Sequence, residues 1–65
     1  MDKAGIKAFM IWLETASEDQ LAQHKEFILA RAGMITTREG KADLRLALRL
    51  LEEEVLARIQ SARHG

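Results

Sequence analysis

The stretch TTREGKADLRLALRLLEEEVLARIQSA, Thr36 to Ala62, decides the fold. Leu, Ala, Arg and Glu dominate it, all good helix formers, and no Pro interrupts it. Leu44, Leu48, Leu51, Val55 and Ile59 step by three and four residues, with Ala47 and Ala62 at the margins of the stripe. That period belongs to an amphipathic helix. A second stripe, Leu46, Leu50 and Ala57, lies most of the way round the same helix. One short partner helix covers one stripe only, so the second is expected to be covered by another polypeptide.

Working outward, Thr36-Thr37-Arg38-Glu39 reads as a capping box, with Thr36 as cap and Glu39 at the third position. Ser17-Glu18-Asp19-Gln20 is a second one, opening an earlier helix. Gly33 stands where a left-handed residue would end that helix, and Met34 and Ile35 bridge to the next cap. Gly40 falls in the first turn of the last helix and weakens it. These signals predict helices over about 3–14, 18–32 and 37–62 of one domain, 1–65. At ~1.5 Å per residue the third helix is roughly 40 Å long and the second about half that. The tail of the third would then project beyond its neighbour. The predicted fold is all-α: an antiparallel helical hairpin with a long C-terminal helix plus a short N-terminal helix, assembled as a dimeric bundle.

The inward stripe of the second helix reads as Leu21, Ile28, Leu29 and Ala32, with Phe27 on a different side. The first helix is apolar nearly all round. Ile6, Phe9, Met10 and Leu13 share a broad face, Trp12 flanks it and Ile11 points away. A helix greasy on most sides is normally covered on most sides. It could lie across the hairpin or be exchanged into a second copy.

Sixty-five residues and 7.3 kDa leave room for one domain near the lower size limit for unassisted folding. Domains this small usually lean on disulfides, a metal or oligomerisation. With no Cys in the chain, oligomerisation is the remaining support, and a reducing, cytoplasmic setting is expected. Ten basic residues balance ten acidic ones, so net charge supplies no long-range attraction to nucleic acid or to an anionic membrane. The three aromatic residues, Phe9, Trp12 and Phe27, are too few for an extended base-stacking platform. The apolar run from Ala4 to Leu13 is too short to span a bilayer and lacks a signal-peptide cleavage pattern after it.

Charge is nevertheless uneven. Residues 27–50 hold five basic and two acidic side chains, whereas residues 14–26 hold one basic and four acidic. Arg38, Lys41, Arg45 and Arg49 share one flank of the last helix, where like charges three and four apart repel by a few tenths of a kcal/mol per pair. They read as a solvated flank, with Arg49 reaching Glu52 and Glu53, or as a surface for a phosphate backbone, an acidic partner or the acidic stretch of another subunit. Glu52-Glu53-Glu54 fan out round the helix and cannot converge on one ion, and Glu54 precedes Arg58 in the favourable i,i+4 orientation. His24 and His64 stand in no zinc-binding spacing. Ser17, Thr36 and Thr37 have capping or surface roles, with no nucleophile elbow and no Gly-rich phosphate loop. We therefore expect no catalytic, metal or cofactor residues and no enzyme activity. Phe9, Trp12, Leu46, Leu50 and Ala57 are the candidates for self-association. Phe27, Arg38, Lys41, Arg45 and Arg49 are the candidates for contact with a heterologous partner.

The run Trp12-Leu13, Ser17 to Leu21, then Ala42-Asp43-Leu44-Arg45 through Leu50-Leu51-Glu52-Glu53-Glu54 resembles small all-helical accessory proteins of temperate bacteriophages and bacterial mobile elements. The resemblance is compositional, covers most of the chain and implies a role in binding and blocking a host bacterial protein. The expected function is a small oligomeric protein-interaction module, a homodimer or higher homo-oligomer that modulates or inhibits another protein. The competing expectation is a dimeric DNA-binding regulator of ribbon-helix-helix type. There, residues 7–13 would form the strand, alternating Lys7, Phe9, Ile11 and Leu13 against Ala8, Met10 and Trp12.

Overall fold

A computed structural model describes the backbone of residues 2–64 and the side chains of residues 2–62. Three helices follow one another, α1 (Lys3–Thr15), α2 (Glu18–Ala32) and α3 (Arg38–His64), with no strand among the described residues. Residues 7–13 lie inside α1, so the strand of the ribbon-helix-helix alternative is not formed. Its helical start is fixed upstream by a cap that the alternating pattern conceals. The Asp2 carboxylate accepts a hydrogen bond from the Gly5 N–H at 2.7 Å, satisfying one of the orphan donors of the first turn.

α1 ends where Ala16 and Ser17 turn extended, at φ −70°, ψ 146° and φ −72°, ψ 165°. The Thr15 hydroxyl donates back to the carbonyls of Ile11 and Trp12, and the Ala16 N–H still reaches Trp12 O at 2.8 Å. The Ser17 capping box forms as the sequence predicts. Gln20 N–H donates to Ser17 Oγ at 3.1 Å and Ser17 N–H donates to Gln20 Oε1 at 2.8 Å. A two-residue link therefore bends the chain sharply with its local donors satisfied.

The link between α2 and α3 departs from expectation in two places. Gly33 is right-handed, at φ −70°, ψ −16°, and no described residue has a positive φ. The helix tightens instead, with Met34 N–H on Arg31 O at 3.0 Å and Ile35 N–H on Ala32 O at 3.4 Å. The cap of α3 is Thr37, one residue later than the sequence suggests, its hydroxyl accepting from Gly40 N–H at 3.0 Å. The third position is then Gly40 rather than Glu39, and packing explains the shift. A Cβ at residue 40 would stand 2.5 Å from Ile35 Cγ2 and 2.7 Å from Thr37 Oγ1. Ile35 and the cap close over a bare glycine backbone, an approach no larger residue permits.

Both α1 and α2 pack on α3. Leu13, Ala16, Leu21 and Leu51 form one buried cluster, joining the end of α1, the α1–α2 link, the start of α2 and the middle of α3. Ile28 and Ala47 are the other buried apolar residues, and no polar side chain is buried among the described residues. Several residues read as inward-facing are not. Met10, Leu29, Val55 and Ile59 are 47%, 52%, 38% and 50% exposed. Leu29 sits about 80° round the axis from Leu21 at 3.6 residues per turn, on a side that α1 leaves open. Leu46 and Leu50, expected to need another polypeptide, are half-buried within this one chain. Leu50 packs on the Leu13–Leu51 cluster beside Phe9 and Trp12, so α1 covers part of the second stripe.

The two glycines respond oppositely to alanine. Gly33→Ala meets nothing within 4 Å and is expected to raise stability by about 0.5–1 kcal/mol through the unfolded chain. Gly40→Ala is expected to lower stability by roughly 1–2 kcal/mol through overpacking against Ile35 and the cap. Urea unfolding followed by circular dichroism reads both signs.

Candidate interaction surfaces

The molecule is long and thin, 42 × 24 × 15 Å, with a radius of gyration of 12.7 Å. A compact 65-residue domain is expected near 10.7 Å on the scaling of about 2.2·N^0.38. Accessible surface tells the same story. The chain exposes 5276 Å², whereas a compact monomer of its mass exposes about 4,200 Å². The surplus is roughly 1,100 Å², and the large apolar side chains exposed on the described surface are Met10, Ile11, Phe27, Leu29, Met34, Val55, Leu56 and Ile59.

One face carries an aromatic row. Trp12 stacks on Phe9 at 5.9 Å between ring centroids. His24 reaches across from α2 to Trp12 at 4.8 Å and to Phe9 at 5.6 Å. Phe27 continues the row at 6.1 Å from His24, and the Arg31 guanidinium lies 4.4 Å over the Phe27 ring. Such pairs contribute about 0.5–1.5 kcal/mol each beyond their burial. Here they substitute for a wide apolar interface between α1 and α2. The different phase of Phe27, visible in the sequence, is what directs it along this row. His24 and Arg31 were missed as its members, because four-residue spacing within α2 does not reveal what α1 places opposite.

The opposite side of the α2–α3 pair is an open groove of about 360 Å³. Leu21, Ala22 and Lys25 form one wall and Leu51, Val55 and Ile59 the other, with Glu18 and Arg58 at its end and no residue of α1 among its lining. Arg58 has a second task. Its guanidinium donates to Leu13 O at 2.7 Å and to Glu54 Oε2 at 3.2 Å, both partly buried. The last turn of α1 contains no basic residue, so α3 supplies the cation that the negative end of that helix favours. The Glu54–Arg58 pair was legible as i,i+4 spacing; the long-range bond to Leu13 was not.

The sequence-nominated residues separate in space. Phe9, Trp12 and Leu50 gather round the core on the α1 side, and Leu46 is half-buried. Ala57 is exposed and shares a shallow cleft with Met10, Leu50 and the carboxylates of Glu14, Glu53 and Glu54. Phe27 is half-exposed on the aromatic row. Arg38, Lys41, Arg45 and Arg49 are exposed along α3, and Arg49 donates to Glu53 Oε1 at 3.1 Å in a well-solvated pair. Among the described residues no group of three His, Cys, Asp or Glu is placed to hold a metal ion. No described helix is long and apolar enough to cross a membrane.

Two substitutions separate the structural role of Arg58 from an ordinary surface ion pair. Arg58→Ala is expected to cost about 1–2 kcal/mol, since a carbonyl at the end of α1 loses a charge-assisted partner. Arg49→Ala is expected to cost less than about 0.5 kcal/mol. Chemical denaturation measures both. His24→Ala is expected to shift the emission of Trp12, the sole tryptophan, to longer wavelength by baring its ring, and His24→Phe to leave it near the wild-type position.

Comparison with protein-family models, with curated proteins and with solved structures finds no match for this chain.

Proposed function

We propose that this chain is a small oligomeric helical protein-interaction module that binds another protein and modulates or inhibits it. On this reading α2 and α3 form an antiparallel hairpin, α1 lies across one side, and two copies make a dimeric bundle. The observation that carries the proposal is the exposed apolar lining of the α2–α3 groove, where Val55 and Ile59 stay 38% and 50% exposed beside Leu21 and Ala22. Patches of that kind mark sites of association. The resemblance to bacteriophage accessory proteins makes a host bacterial protein in the cytoplasm the partner class.

Two surfaces divide the work. The aromatic row offers Phe27 and Arg31, residue types enriched at the centres of interfaces, while Arg38, Lys41, Arg45 and Arg49 present cations for an acidic partner. The groove, lined mostly by apolar side chains, suits self-association. DNA recognition through a ribbon is not retained, because residues 7–13 are helical.

Light scattering on the full chain is expected to give a mass above 7.3 kDa. Immobilised wild-type chain is expected to retain a discrete bacterial protein from lysate, and Phe27→Ala to retain at least about tenfold less, the effect of losing an aromatic anchor. A well-folded monomer that binds no hydrophobic dye and retains nothing overturns the proposal.

A further inference from the structure

We propose that two copies of this chain pair antiparallel, the α2–α3 turn end of each lying beside the α1–α2 link end of the other. This pairing rests on the self-association and the α2–α3 hairpin proposed above. It fixes how the two copies are oriented, whichever face they cover.

The fold separates charge that balances in the sequence. Leu21 meets Leu51 in the core, and Glu18 shares a groove with Arg58, which sets residues 14–26 beside residues 48–62. Together these two segments carry seven acidic and three basic side chains, a net −4. Arg49 and Arg58 are two of the three cations, and each is paired within the chain, to Glu53 and Glu54. Residues 27–47, which hold the turn, carry four basic and two acidic side chains, a net +2. Arg38, Lys41 and Arg45 are exposed there and form no ion pair among the described residues. Asp2, Lys3 and Lys7 of α1 add a net +1, which leaves both signs unchanged.

Screening decides what a neighbour feels. The molecule is 42 Å long, whereas the screening length is about 8 Å at physiological ionic strength. Each end therefore acts through its own charge, and the neutrality of the whole chain does not cancel it. A second copy supplies both signs at the matching separation. Side by side and parallel, two copies put like end against like end. Turned about an axis across the molecule, they put the +2 end of each against the −4 end of the other. Juxtaposed like charges select against the first arrangement. The two-fold axis makes both contacts equivalent and closes the assembly at two, which a head-to-tail arrangement of the same ends does not.

The test uses the full chain, which has no cysteine of its own. Fluorescent labels go on Met34→Cys, at the turn and 81% exposed, and on Ser61→Cys, exposed towards the end of α3. Energy transfer between copies is expected to be stronger from a donor on residue 34 to an acceptor on residue 61 than between two copies labelled at residue 34. Sedimentation velocity is expected to return twice the 7.3 kDa protomer mass and no more as concentration rises. Lys41→Glu combined with Arg45→Glu turns the basic end acidic and is expected to weaken the dimer at least about tenfold, with helical dichroism retained. Stronger transfer between two copies labelled at residue 34 overturns the antiparallel pair while leaving self-association standing. A mass that climbs past two copies does the same, as does an undiminished dimer of the folded double variant. If the double variant fails to fold, the label pair decides. A wild-type monomer at all concentrations overturns both.

Discussion

Leu51 is the point at which this small fold closes. It is 1% exposed, and Leu13, Ala16 and Leu21 meet round it from the end of α1, the inter-helix link and the start of α2. The two-residue bend at Ala16 and Ser17 brings two helix ends together, and Ala16 itself is buried in the cluster at 5% exposure. Arg58 then ties the same corner from below, bonding the last-turn carbonyl of Leu13. Local backbone chemistry and core packing thus converge on one site, so truncating Leu51 would open a cavity in the middle of the buried cluster.

That arrangement explains why so much apolar surface is left outside. Three helices meeting at one corner do not enclose one another along their lengths. α1 covers the flank that holds Leu50 and His24, and no other described helix lies across the opposite flank. The groove, the elongated shape and the surplus area are one consequence of this geometry.

The aromatic row shows how a thin contact can still be specific. α1 and α2 share few backbone approaches, yet four rings and a guanidinium run in sequence across them. Their geometry fixes the rotation of α1 more sharply than undirected aliphatic contact would. The far end of the row, Phe27 and Arg31, stays exposed.

What the sequence determined by itself was local. Helix periodicity, the Ser17 capping box, the i,i+4 pairing of Glu54 with Arg58 and the odd phase of Phe27 all follow from neighbours within four residues. Those interactions are short-range and repeat with the helix turn. The choice of Thr37 over Thr36 as cap lay beyond that range, because it turns on Ile35 closing over Gly40. So did the exposure of Leu29, Val55 and Ile59, which share a period with buried residues but not a neighbour. Periodicity says which side chains share a face. Only the placement of α1 decided which face was covered, and through it where Arg58 and His24 found partners.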